Sequence, residues 1–238
     1  MNTDKNPCLS VFIRGLFIRG LTRVAAAAFA VAIVGSATTA ATAAPAEIRW
    51  ETKLDRAVAA ARETNQPVLI EFWATWCEVC REMDRDVYTD ERVAAAMAKV
   101  RPVKVAIDRE PGLKRKYEVD GTPTLIVADS YGRELFRYLG ALPADRLRQL
   151  LDALPADISA INRYSGTLAA KKDDFPALIG LARELRAVGF YRTSSDYCER
   201  ALRTKDGRRP GEARDELLLI RARNAEDLER ARQAKPRG

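Results

Sequence analysis

Two cysteines three residues apart, Cys77 and Cys80, follow directly on the apolar, β-prone stretch Val68-Leu69-Ile70-Glu71-Phe72-Trp73. That placement constrains the chain more than any other feature. The stretch reads as a buried strand, and Arg81, Glu82 and Met83 suit a helix, so the pair falls where a strand hands over to a helix N-terminus. Two thiols at this spacing can form and break one short disulfide. Cys77 takes the positive end of the helix dipole, where the thiolate that attacks a disulfide is favoured. Glu78 opposes this with a solvent-screened negative charge, which leans the pair toward a reductant.

A Cys-x-x-Cys run also serves as a zinc half-site, a haem attachment site or an inert bridge. With 0 His and 4 Cys in the chain, a tetrahedral zinc site needs Cys8, Cys198 or carboxylates as its remaining ligands, and none stands at suitable spacing. Covalent haem attachment wants His directly after the second cysteine, and Arg81 is there. The reading is therefore a redox-active pair needing no metal and no cofactor, with a structural disulfide as the alternative.

Residues 1–43 have the layout of a secretory signal: basic Lys5, Arg14, Arg19 and Arg23, the apolar run Val24 to Val34, and Ala41-Thr42-Ala43 as a small-residue cleavage motif. Cleavage after Ala43 gives an exported, periplasmic protein, and an uncleaved anchor is the alternative. Outside the cytosol disulfides persist, so a dithiol there needs an electron supply. The net charge of +7 concentrates at the two ends. Residues 46–154 hold 18 Lys and Arg against 19 Asp and Glu, which argues against a nucleic-acid partner.

From Trp50 the pattern alternates helix (54–63), strand (68–73), helix (77–87), helix (90–98), strand (100–107), helix (112–117), strand (124–128), strand (134–138) and helix (144–154). This is an α/β order. Asp129-Ser130-Tyr131-Gly132 is a turn that joins the last two strands as a hairpin.

The run Trp76-Cys77-Glu78-Val79-Cys80 and the downstream Thr122-Pro123-Thr124 together resemble the thioredoxin superfamily over about residues 50–154. Within it, Gln66-Pro67-Val68, Asp86 to Val93 and Tyr117 to Thr124 look most like the periplasmic C-terminal domain of DsbD-type thiol-disulfide interchange proteins. The dipeptide Glu78-Val79 departs from both groups. The resemblance implies a thioredoxin fold over residues 46–154 and a cis Pro123 lying against the cysteine pair. The adjacent Thr122 backbone is then left to pair with an extended substrate. It also matches Glu71 to the family's buried acid, which helps move the proton of the second cysteine; a carboxylate on an apolar strand has few other reasons to be there. Trp76 offers an apolar surface beside the nucleophile, whereas Phe72 and Trp73 read as core.

Residues 158–238 show no strand signal. Leu178, Leu181, Ala182, Leu185, Tyr197 and Ala201 recur at helical spacing, and residues 175–208 loosely resemble one roughly 34-residue tetratricopeptide repeat, an ordinary helical hairpin being the alternative. Cys198 reads as a small apolar residue on the inner face of that hairpin.

The expectation is an exported thiol-disulfide oxidoreductase, with Cys77 as nucleophile and Cys80 as resolving thiol, that reduces disulfide-containing proteins. It draws electrons from a membrane donor. The alternatives are a cytochrome-maturation thioredoxin and a non-catalytic scaffold that binds a partner through its helical region.

Overall fold

A computed structural model describes residues 47–233. The expected signal segment, 1–43, lies outside the described residues. Among them, no helix is long and apolar enough to cross a membrane.

The α/β portion runs α1 (Leu54–Thr64), β1 (Val68–Trp73), α2 (Glu78–Glu82), α3 (Glu91–Met97), β2 (Arg101–Ala106), α4 (Pro111–Lys116), β3 (Thr124–Ala128), β4 (Glu134–Leu139) and α5 (Ala144–Ala153). The sheet order is β2-β1-β3-β4, with β1 and β2 parallel and the other pairs antiparallel. β1 is thus central and apolar throughout apart from Glu71. A strand buried on both faces reads as a continuous hydrophobic run rather than an alternating one, which is why this segment was legible.

Strand parity divides β1 between two cores. Val68, Ile70 and Phe72 face α1, and there they pack with Ala57, Ala61 and the cysteine pair. Leu69 faces the other way, into a layer with Met83, Val93, Leu147 and Leu151. Each face carries several fully buried aliphatic or aromatic side chains, worth roughly 1.5–3 kcal/mol apiece.

α2 does not end at Glu82. It widens into a π-helical turn, Met83–Val87, in which the Tyr88 N–H reaches back to the Met83 carbonyl at 3.0 Å. Tyr88 is thereby delivered to the Leu69 face beside Met83.

The β3–β4 hairpin turns on Asp129, whose Oδ1 accepts the N–H groups of Tyr131 and Arg133, both at 2.8 Å. Gly132 takes φ +72°, a conformation that glycine adopts without steric cost. Burial pushes the Asp129 carboxyl above the usual carboxylate range.

Beyond residue 154 the chain is helical, as expected, but extends past a single hairpin: α6 (Ser159–Ala170), α7 (Phe175–Ala187), α8 (Tyr191–Arg203) and α9 (Glu212–Gln233). Leu178, Leu181, Leu185, Cys198, Leu217 and Ile220 form its core, which also takes in Leu135 of β4. A polar seam joins this bundle to the sheet. Asn162 donates to Asn65 Oδ1 and accepts the Ser130 N–H, each at 3.1 Å, while Arg133 donates to the Ser165 carbonyl at 2.6 Å.

Candidate redox site

The cysteine pair sits at the C-terminal end of β1, where the chain must turn before entering α2. Cys77 caps that helix. Its backbone is extended (φ −80°, ψ 102°), and its sulfur accepts the Cys80 N–H at 3.2 Å, occupying one of the donors that every helix start leaves free. Cys77 and Cys80 are joined in a disulfide with Cα atoms 5.3 Å apart. Both are nearly buried at 5% and 1% exposure, whereas Trp76 is 68% exposed and Val79 is 42% exposed. A partner therefore meets an apolar collar first and the sulfurs behind it.

The turn before the pair is held by two ties. Asp108 accepts the Thr75 hydroxyl at 2.5 Å and its N–H at 3.3 Å, and this bonding holds the Asp108 carboxyl below its usual range. Arg81 donates to the Thr75 carbonyl at 2.8 Å and is ion-paired with Glu78. The Glu78 charge is therefore offset by a neighbouring cation, which removes much of the lean toward a reductant expected from the sequence.

Pro123 follows a cis peptide bond from Thr122. Because Thr124 pairs with Phe72, the Thr122-Pro123 step lies at the same end of the sheet from which the chain leaves for Cys77. The Thr122 main chain has no hydrogen-bond partner among the described residues.

Glu71 is fully buried. Its burial agrees with its match to the family's buried acid, whereas its neighbours do not follow from the sequence. Register pairs Glu71 with Lys104 of β2, whose ammonium stands 3.4 Å from Glu71 Oε2, is ion-paired with Asp84, and lies over the rings of Trp50 (4.8 Å) and Tyr88 (4.9 Å). Neither Glu71 oxygen has a well-formed hydrogen bond among the described residues, and nor does the buried Tyr88 hydroxyl. Burial raises the Glu71 carboxyl to about 7. Lys104 acts against that rise and Asp84 with it. Burial likewise pushes the Tyr88 phenol well above its ordinary value. A carboxyl poised near neutrality inside the domain can take up or release a proton at working pH.

Cys198, the remaining described cysteine, is buried in the helical core, and desolvation pushes its thiol up to about 11. Among the described residues no group of His, Cys, Asp and Glu side chains could hold a metal ion.

Residues 54–155 match the family described as Thioredoxin-like domain. Thioredoxin 1 of a Nostoc species is 33% identical over 90 residues, which make up 38% of this chain and 81% of that protein. The chain belongs to the thioredoxin-like family. Its relatives are thiol-disulfide oxidoreductases, and it carries their Cys-x-x-Cys pair at disulfide distance. The thiol:disulfide interchange protein DsbD of Ralstonia nicotianae is 33% identical over 91 residues, 37% of this chain. Those residues make up only 15% of DsbD. The oxidised DsbD C-terminal domain of Neisseria meningitidis, a solved structure, is 22% identical at a TM-score of 0.39, with 44% of this chain and 97% of that one covered. The family match ends at residue 155, so it leaves α6 to α9 as a helical region and assigns them no tetratricopeptide repeat.

Proposed function

We propose that this thioredoxin-like protein is an exported reductant of protein disulfides. The observation that carries the reading is the Cys77–Cys80 pair at the start of α2, with Cα atoms 5.3 Å apart beside the exposed Trp76, and the buried Glu71 carboxyl on the strand leading into it adds support. In the reduced protein the Cys77 thiolate attacks one sulfur of a partner disulfide. A Cys77–partner bond forms, the partner's S–S bond breaks, and the partner's other sulfur leaves as a thiolate. Cys80 then gives up its proton, relayed through solvent to ionised Glu71 on the Leu69 side of β1, and attacks Cys77, releasing the partner's second thiolate. Two electrons pass from the dithiol to the partner, and the Cys77–Cys80 disulfide remains.

Trp76 and Val79 supply apolar contact surface, and the free Thr122 main chain pairs with the partner's backbone. Turnover needs a dithiol donor to reduce the pair again. A membrane-bound donor on the outer side of the bilayer fits the signal-like segment 1–43, which is also the basis for placing the protein in the periplasm.

Two measurements test the reading. The wild-type chain should reduce insulin in the presence of a dithiol, and Cys77→Ser should abolish this. Intact mass from the envelope fraction should show a chain beginning near Ala44. Absence of insulin reduction by the intact protein sinks the enzyme reading in favour of a scaffold.

A further inference from the structure

β4 is an edge strand. Such an edge presents main-chain N–H and C=O groups that must be covered, paired or left to water. Register shows which ones these are. Gly140 sends its N–H inward to the Pro123 carbonyl at 2.8 Å. Alternation therefore turns the main-chain groups of Leu139 and Arg137 outward, and the register shifts at Leu135, the extra residue opposite the Val127–Ala128 step. The Leu135 carbonyl is met from outside, by the Thr193 hydroxyl of α8 at 2.6 Å.

The helical region thus closes one half of this edge and leaves the other half open. The main-chain groups of Arg137 and Leu139 have no partner among the described residues. Beside them lies a cavity of about 600 Å³, walled by Phe136 and Leu139 on one side and by Phe190, Tyr191 and Leu228 on the other. The Arg137 guanidinium is already engaged by Glu134 at 2.6 Å and by the Tyr117 carbonyl at 2.5 Å, so the opening offers main chain and apolar surface with Arg192 as the further charged group in its wall.

The opening lies toward the end of the sheet that carries the cis-proline loop. Leu139 pairs with Thr124, next to cis Pro123, and its Cδ1 lies 3.4 Å from where a side chain on Gly121 would begin. Its own side chain is 64% exposed.

We infer that the open edge of β4, walled by α8 and α9, is a second recognition site, which receives the polypeptide flanking a partner's disulfide as an added strand. This rests on the proposed thiol-disulfide exchange. A disulfide presented to Cys77 brings its flanking chain to the end of the sheet where β4 finishes. The outward groups of Arg137 and Leu139, about 7 Å apart along the strand, match the repeat of an extended backbone. The cavity then takes one apolar side chain of that segment. A small molecule would leave those donors and acceptors unread. This gives the helical region a role in the chemistry: it blocks half of the edge, so that an incoming strand has one register.

The test uses the full chain carrying Cys8→Ser and Cys80→Ala, coupled at Cys77 through an activated disulfide to a dodecapeptide with one central cysteine flanked by leucine and phenylalanine. The control carries mercaptoethanol at Cys77. Amide exchange measured by NMR should slow about tenfold at Arg137 and Leu139 in the peptide adduct alone, as expected for gaining a main-chain hydrogen bond. Leu228→Trp, which fills the cavity, should remove that slowing. Equal exchange in both adducts overturns the inference. So does exchange already slow in the control, which would mean that the chain itself or a second copy occupies the edge. Because coupling at Cys77 is chemical, the result is independent of turnover, and failure of wild type to reduce insulin would count against the proposed function alone.

Discussion

Glu78, the first of the two residues between the cysteines, is ion-paired with Arg81, and Arg81 in turn donates to the carbonyl of Thr75 at 2.8 Å. The dipeptide between the cysteines is thus electrically balanced within one helical turn. Both side chains are exposed, so each charge acts weakly on Cys77.

The balance predicts a double-mutant cycle. In the reduced protein at pH 7, Arg81→Ala should slow alkylation of Cys77 by iodoacetamide and Glu78→Gln should speed it. Each change should stay within about fivefold, the scale of an exposed charge pair. The double variant should return close to wild type. Single changes acting in the same direction would show that Arg81 works through Thr75 rather than through charge.

Glu71 predicts a pH dependence of stability. Its carboxyl sits at about 7 in the folded protein, against 4.5 for an unburied glutamate. The raised value means that the protonated form favours the fold. Stability is greatest below about 4.5, and it falls as pH rises through about 7. The total is ~3 kcal/mol at 1.36 kcal/mol per unit. Glu71→Gln should flatten urea-unfolding midpoints across that window, and it should slow the second step of exchange while leaving attack by Cys77 intact. A wild-type midpoint that rises from pH 4.5 to 7 excludes this account of the carboxyl.

Cys80→Ala should trap the natural partner on Cys77. Cys198 cannot act in its place, being buried in the helical core with its thiol pushed up to about 11. Expressed in its native envelope, the variant should give higher-mass adducts that vanish on reduction, with few in wild type and fewer in Cys77→Ala. Adducts that persist when Cys77 is also replaced would move the nucleophile to Cys198.

Truncation after Leu154 separates the redox domain from the helices. Every side chain of the site lies between Glu71 and Pro123, so the shortened protein should still reduce a small aromatic disulfide at close to the full rate. It should also be less stable by about 3 kcal/mol, because Leu135 and Phe136 lose the helical core that covers them. Urea unfolding beside activity decides it. A folded but inactive fragment would place part of the site in the helical region.

The sequence made legible what depends on local order. The boundaries of β1 and β3 follow from unbroken apolar runs, and Cys77, Cys80 and Pro123 announce themselves by spacing. Lys104, Asp84 and Tyr88 did not. Lys104 reads as an ordinary polar position on a strand, and it meets Glu71 only because β1 and β2 pair in one particular register. Asp84 and Tyr88 arrive from the far end of a helix whose geometry is not regular. The count of helices beyond residue 154 was out of reach for a similar reason: amphipathic spacing reveals a helix, but the docking of Leu135 into a distant bundle is a non-local contact.

The π-helical turn at Met83–Val87 can also be described by chain length. A bond from residue i to i+5 accommodates one residue more than an α-turn. The helix after the cysteines therefore carries a single surplus residue, absorbed locally. Everything before it, including Cys77 and Cys80, keeps α-helical phase, and everything after it is rotated by about one residue's worth of turn, roughly 100°. With that offset the ring of Tyr88 lies 4.9 Å from the Lys104 ammonium, so the surroundings of the buried acid are set by the length of a helical turn as well as by side-chain identity.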